Sequence, residues 1–360
     1  MDTNRPVRIA LHAMLGNEEH IVSRMLESCW QFVDYWVIQC NGHDTTQQCV
    51  ETFFADKGIP GFTYHTPWKS PGENRDHALQ ELLRSPHKCD WILRMDADEV
   101  LEVDASFDWA QLCQTQVDSW NIAALCAGIQ YTRTWLWNTR REWRFFHDIR
   151  HERIGVDRDG QLHEDFERRT LPHQFRHKLS NDGVTWSDPK KFLTDALELE
   201  RAVDLSTSTP ESVVRAYYIG KSYFDFIMGK ASRLGQVELT EYARRSIYFL
   251  QWAVKDASGE LAFYSSLLLA RIHRRLGNPQ VAEMYLDECE EICPMRNEHL
   301  LEKLEILEAL GERSNASVIL DKMLLRPNPF PSCSFLIDRN AYADTGDHLA
   351  LLRERLSETL

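Results

Sequence analysis

The sequence has no apolar run long enough to span a bilayer. A membrane helix needs about 18 uninterrupted apolar residues, and every apolar stretch here is cut early by Arg, Glu or Gly. The opening MDTNRPVRIALHAML carries no charged leader followed by a long apolar segment and a small-residue cleavage site. A secretory signal is therefore not expected, and a cytoplasmic setting is. No CxxC pair and no His/Cys cluster has zinc spacing. The nine cysteines (Cys29, Cys40, Cys49, Cys89, Cys113, Cys126, Cys289, Cys293 and Cys333) are scattered and odd in number, which fits reduced thiols rather than a disulfide framework. Positive charge is short as well: 41 Lys and Arg against 55 Asp and Glu leave a formal net charge of −14. Such a chain repels polyanions overall, so nucleic-acid binding would require a local basic patch. What remains is a globular composition, 43% hydrophobic and 27% charged over 360 residues, enough for two domains.

The first 125 residues or so alternate short β-type runs with helical patterns. Val7–Met14 reads as a buried strand, Glu18–Trp30 as a helix, and Tyr35–Gln39 as a second strand stopped by Asn41-Gly42. Thr46–Lys57 is helical, Gly61–His65 a strand, Asn74–Leu83 helical, and Trp91–Met95 a fourth strand. That alternation predicts an α/β domain built on a mostly parallel sheet, where ligands sit outside the carboxyl ends of the strands. After about Pro210 helical periodicity takes over. Ala270, Gly277, Ala282, Cys289 and Pro294 recur 34 residues later as Leu304, Gly311, Ala316, Met323 and Asn328. A 34-residue helix–turn–helix unit resembles a tetratricopeptide repeat, and a generic helical bundle is the alternative. The expected division is 1–205 for the α/β domain, with 126–205 as its acceptor- and metal-side segment, and 206–360 for an all-α helical-repeat domain.

The sharpest local feature is Asp96-Ala97-Asp98-Glu99, directly after the strand WILRM. Two carboxylates separated by one small residue at a strand's carboxyl end can turn toward one hard cation, Mn²⁺ or Mg²⁺, shared with substrate phosphates. An acidic loop facing water is the plainer alternative.

The order of motifs resembles family 2 glycosyltransferases of the GT-A fold, a Rossmann-like arrangement. Their first strand leads into a KNEE-like stretch, here Leu15-Gly16-Asn17-Glu18-Glu19. Their second leads into a DxGSxDGT-like stretch, here Cys40-Asn41-Gly42-His43-Asp44-Thr45-Thr46. An ARNxAL-like helix follows as Asn74-Arg75-Asp76-His77-Ala78-Leu79, then the DADE turn, then an HE pair at His163-Glu164. The resemblance covers most of the chain, with the helical tail similar to the tetratricopeptide extension of one branch. It implies a nucleotide-diphosphate sugar as donor, a UDP-sugar first among them, and inverting transfer to a carbohydrate or other hydroxyl acceptor. It implies that Asp98 coordinates the cation and that Asp96 contacts the ribose or the metal shell. Asn17 and Glu18 would touch the nucleoside, and Arg75 would pair with Asp96 or reach the diphosphate. Cys40 stands where the family has an Asp, and Asp44 is the candidate substitute in holding the nucleotide.

Displacement at an anomeric carbon needs a group to take the acceptor's proton. Glu164 and Asp165 are the candidates, and His163 is a candidate third metal ligand. His151-Glu152 competes with them, but Gly160 and the flanking Leu162 and Phe166 match the family's context better. Tyr131–Arg153 holds six Arg, three Trp, two Phe and one Tyr against three acidic residues. It reads as a cleft wall, as a nucleic-acid grip, or as a β-segment with Arg/Glu pairs outside and Trp inside. Trp135, Trp137 and Trp143 share no strict alternation, so core burial alone is not expected to explain all three. His173 and His177 read as structural or acceptor-loop residues. Two other functions stay open: sugar transfer to a hydroxymethylated nucleobase in DNA, and a non-catalytic helical scaffold, with a protein partner on the repeats.

Overall fold

The computed structural model describes residues 5–146, 153–230, 235–333 and 335–357. The chain divides into two compact units: Met1–Ala127 with Tyr131–Asp188, and Gly128–Gln130 with Pro189–Leu360. The expected class is found, an α/β sheet unit followed by an all-α unit. The helix at Lys191–Ala202, placed before the expected division at 205, packs with the second unit.

In the first unit the elements run β1 (Ile9–Leu15), α1 (Val22–Cys29), β2 (Tyr35–Cys40), α2 (Thr46–Lys57), β3 (Gly61–Tyr64), α3 (Pro71–Arg84), β4 (Trp91–Arg94) and β5 (Glu99–Val103). Then come β6 (Ser119–Cys126), β7 (Ile129–Asn138), β8 (Trp143–Phe146), β9 (Arg153–Arg158), β10 (Gln161–His163), β11 (Arg168–Thr170), β12 (Phe175–Leu179) and the short α4 (Val184–Ser187). The main sheet is ordered β3-β2-β1-β4-β7-β6-β12-β5. β1 pairs in parallel with β2 and β4, and β2 with β3. β7 adds antiparallel to β4, and β12 runs parallel to β6 but antiparallel to β5. The sheet is thus mixed, with a parallel core. β8, β9 and β10 form a separate antiparallel sheet.

Period-two alternation explains why β1 is central. Ile9, Leu11, Ala13 and Leu15 join one core with Val22, Met25 and Leu26 of α1 and Val50 and Phe54 of α2. Ala10 points to the other face, with Leu79 and Leu82 of α3 and with Trp137, Trp143 and Phe145. Both faces are covered, so the strand reads as a nearly unbroken apolar run. Trp135, Trp137 and Trp143 are 1%, 0% and 0% exposed. The expectation that burial alone would not explain them is corrected: β7 is covered on both faces, and β8 belongs to the second sheet, against α3.

Local chemistry sets the loops at the carboxyl edge. Ser70 Oγ accepts the Glu73 N–H at 3.2 Å and Pro71 opens α3, a start signal that fixes the helix carrying Arg75. α1 begins one turn later than the sequence suggests. Glu18 O accepts the N–H groups of Ile21 and Val22, and the residues before them form a turn. Asn17 adopts φ +59° and its Oδ1 accepts the His43 N–H at 2.8 Å, which joins the loops after β1 and β2. Gly42 makes this approach possible, because a Cβ there would lie 2.3 Å from Asn17 N.

In the second unit α5 (Lys191–Ala202), α6 (Pro210–Lys230), α7 (Gln236–Asp256), α8 (Gly259–Arg275), α9 (Pro279–Ile292), α10 (Glu298–Ala309), α11 (Arg313–Leu324) and α12 (His348–Ser357) pack chiefly on chain neighbours. Residues 34 apart are structurally equivalent. Gly277 and Gly311 take φ +78° and +76° in the turns before α9 and α11. Ala282 and Ala316 are wholly buried, and so are Cys289 and Met323.

Gly42→Ala is expected to lower unfolding stability by about 1–3 kcal/mol in urea titration, because backbone must move. Gly58→Ala, at φ +66° with open space around it, is the control. It is expected to cost about 1 kcal/mol or less.

Candidate active site

The acidic turn begins where β4 ends. Asp96 Oδ1 accepts from Arg75 Nη1 at 2.9 Å, and its Oδ2 accepts from Arg94 Nη2 at 3.2 Å. Burial alone would push the Asp96 carboxyl up, but the two guanidinium charges outweigh it and hold it well below the usual range. The Asp96 N–H donates to Glu99 Oε2 at 3.0 Å, and the Glu99 N–H donates back to Asp96 O at 3.1 Å. Glu99 is 1% exposed; its carboxylate also meets His177 Nδ1 at 3.3 Å and Arg133 Nη1 at 3.9 Å. Burial and the Asp96 charge push the Glu99 carboxyl up, and burial holds His177 neutral, down to about 3.

Asp98 has no such compensation. It is 9% exposed, and its carboxylate meets no donor from another described residue. Burial, then the charges of Asp96 and Glu99, push it up to about 6. Across from it lies Glu18, whose carboxylate accepts the Val184 N–H at 3.3 Å from either oxygen. Burial pushes Glu18 up to about 7 against that hydrogen bond. A Cβ on Gly183 would sit 3.4 Å from Glu18 Oε1 and 3.7 Å from Asp98 Cγ, so the two carboxylates converge on this glycine. The segment carrying it is tied down by Arg24, whose guanidinium donates twice to Asp182 at 2.7 Å, and by the Ser180 N–H on Asp98 O at 3.0 Å.

The sequence-selected residues therefore part into groups. Glu18, Arg75, Asp96 and Asp98 sit together at the carboxyl edge, beside Asn17, which braces the loop after β2. Asp44 is committed to the backbone: it accepts the Glu19 N–H at 3.0 Å and the Thr46 N–H at 3.1 Å. Cys40 is buried, and burial pushes its thiol up to about 12. His163 ends β10 in the smaller sheet, with Glu164 and Asp165 exposed just after it. Asp165 accepts from Arg158 at 2.7 Å, which lowers its carboxyl. Among the described residues no group of three or more His, Cys, Asp or Glu side chains is placed to hold a metal ion, so Asp96, Asp98 and His163 are not gathered as one ligand set. The competing His151-Glu152 pair lies outside the described residues.

The basic-aromatic segment is largely occupied within the unit. Arg141 forks onto Asp118 at 3.0 and 2.9 Å, Arg144 holds Asp76 at 2.8 Å, and Arg140 donates to Thr115 O and Val117 O. Those arginines balance buried carboxylates and backbone carbonyls rather than forming a bare strip for a polyanion.

Three residues near the turn escaped the sequence reading, and a fourth, His177, was expected only as a structural or acceptor-loop residue. Arg94 and Glu99 were visible inside WILRMDADE, but nothing local says that they brace Asp96. His12 is buried on β1, its Nε2 3.2 Å from Arg75 O, and burial with the Arg75 and Arg94 charges keeps it neutral, down to about 3. His177 is brought to Glu99 by the pairing of β12 with β5, 78 residues apart in sequence.

No family model and no curated protein matches the chain. Among solved structures, a mannosyltransferase from Pyrobaculum calidifontis in complex with GDP-Man and Mn²⁺ is 12% identical, over 69% of this chain and 87% of that one, with a TM-score of 0.39. A 4-diphosphocytidyl-2C-methyl-D-erythritol synthase is 14% identical, over 60% of this chain and 84% of that one, with a TM-score of 0.25. At those scores neither likeness carries any part of the functional reading. No described helix is long and apolar enough to cross a membrane.

Because the Asp98 carboxyl is raised, its ionisation weakens the fold as pH climbs through about 6. Asp98→Asn is therefore expected to raise the metal-free Tm at pH 8, by an effect on the order of 1–2 kcal/mol. The gap should close as pH falls toward 4. An equal gap at both pH values would mean that Asp98 is already compensated.

Proposed function

We propose that the first unit is a metal-dependent family 2 glycosyltransferase of the GT-A type. It moves a sugar from a nucleotide-diphosphate donor to an acceptor hydroxyl with inversion, and a UDP-sugar is the first donor to test. The observation that carries this reading is Asp98, a nine-tenths buried carboxylate that meets no donor from another described residue, at the strand edge between β1 and β4. The order in which successive strands are added reverses across the sheet there, and that crevice is where open α/β sheets take ligands.

The residues fit a hard cation by their chemistry. Asp98 supplies a buried carboxylate that no other described residue donates to, and Glu18 is the second carboxylate bordering Gly183. Asp96 is better placed to orient Arg75 and Arg94 than to ligate, since both its oxygens already accept from guanidinium groups. A bound Mn²⁺ or Mg²⁺ would supply positive charge to the departing diphosphate. The arginines held by Asp96 set a positive field beside the same edge. Burial keeps His12 and His177 neutral, so neither adds charge to that field. Glu164 is the candidate base, ahead of Asp165, because Arg158 lowers the Asp165 carboxyl and a lowered carboxyl is a poorer proton acceptor. The 34-residue helical hairpins, similar to tetratricopeptide repeats, would bind a partner protein.

The test is a thermal-shift series with UDP, GDP, CDP and ADP, each with and without Mn²⁺. One or more nucleotides should raise Tm only with the metal present, and Asp98→Asn should abolish that rise. No response to any nucleotide, with or without metal, would favour the scaffold reading. With a responding donor in hand, Glu164→Gln is expected to lower kcat by about 10²–10⁴ while nucleotide affinity holds. Full turnover in that variant would remove Glu164 from the chemistry.

A further inference from the structure

Trp68 is 57% exposed, the most exposed tryptophan among the described residues, and its indole has no ring, cation or hydrogen-bond partner there. The loop that carries it, between β3 and α3, is not loose. Asn74 is 3% exposed and grips the loop four times. Its Oδ1 accepts the N–H groups of Lys69 at 2.8 Å and Ser70 at 3.3 Å, and its Nδ2 donates to Pro67 O at 3.1 Å and Thr66 Oγ1 at 3.2 Å. The end of β2 holds the same loop: Asn41 Oδ1 accepts the Thr66 N–H at 3.3 Å, and His65 Nδ1 meets Cys40 O at 3.0 Å. A braced loop that leaves its largest apolar side chain bare is not explained by folding, because burial of that ring would stabilise the unit.

Place and chemistry suggest what covers it. The loop leaves the carboxyl end of β3, and Asp98 follows the carboxyl end of β4. These strands are three positions apart in the parallel run β3-β2-β1-β4, or about 14 Å at the usual strand spacing. An extended nucleoside diphosphate can bridge such a gap, with its phosphates at Asp98 and its base at the far end. Side chains able to read a base by hydrogen bonds are few there, the buried, unpartnered Asn41 Nδ2 and the exposed His43 among them. Cys40 is 4% exposed, Asn41 Oδ1 and the Asp44 carboxylate are bonded to backbone, and Gly42 has no side chain. A flat aromatic face is what this end of the edge offers, and every base has a π-face to set against it.

We propose that Trp68 is the stacking platform for the nucleobase of the donor, binding purine and pyrimidine diphosphates by the same contact. This rests on the nucleotide-sugar reading given above. The test is isothermal titration of wild type, Trp68→Ala and Trp68→Phe with UDP, GDP and inorganic pyrophosphate, all with Mn²⁺, after each variant's Tm is checked. Trp68→Ala is expected to weaken UDP and GDP alike by about 10- to 100-fold, to leave pyrophosphate unchanged, and to be largely rescued by Trp68→Phe. Unchanged nucleotide affinity in Trp68→Ala overturns the inference, and so does an equal loss for pyrophosphate. If Asp98→Asn still abolishes nucleotide binding in that case, the functional reading survives without it. If wild type binds no nucleotide, both fail.

Discussion

A carboxylate clasped by two arginines sets the geometry at the sheet's edge. Asp96 holds Arg75 from α3 and Arg94 from its own strand, and its backbone N–H is held in turn by Glu99. Removing one partner of such a half-buried pair typically costs about 3–5 kcal/mol, because the remaining charge is left stranded. The cluster is therefore a rigid part of the fold. It also leaves an imbalance, since the guanidinium groups answer Asp96 and not Asp98. The neighbouring carboxylate stays buried, with no hydrogen bond from another described residue, and burial with the Asp96 and Glu99 charges outweighs the pull of Arg133. A protein without a cationic ligand to bind would gain stability by replacing it.

Packing puts this imbalance where a ligand can reach it. β1 is buried on both faces, with helices α1 and α2 on one side and α3 with the small sheet on the other. The loops after β1, β2, β4 and β12 meet at one edge, joined by Asn17 to His43, Glu18 to Val184 and Ser180 to Asp98. Glycines at 42 and 183 let backbone come close without filling the space between the carboxylates.

Much of this was legible in the chain because the signals are local. Period-two apolar runs located β1, β2 and β4, and Thr46–Lys57 was found as a helix with the same bounds. The acidic turn was legible because strand and carboxylates are contiguous. The 34-residue period was legible because Gly277 and Gly311 need the same left-handed turn. What escaped depends on long-range pairing. The Arg75–Asp96 pair, 21 residues apart, was offered by the resemblance and is found at 2.9 Å, but no local pattern says that His12 Nε2 meets Arg75 O or that His177 reaches Glu99 by strand pairing. Of the readings offered for the basic-aromatic segment, the β-segment with its arginines paired to acids and its Trp inside is the one found, though the partners Asp76 and Asp118 lie upstream of it. The three-residue β10 has too few residues to show periodicity, so the setting of His163, Glu164 and Asp165 rested on resemblance alone.

The most direct measurement is anomalous diffraction at the manganese edge from crystals grown with Mn²⁺. A single peak at bonding distance from an Asp98 oxygen is expected, with Asp96 still held between Arg75 and Arg94. No peak beside Asp98, or a metal taken by Asp96 with its arginines displaced, would contradict the assignment.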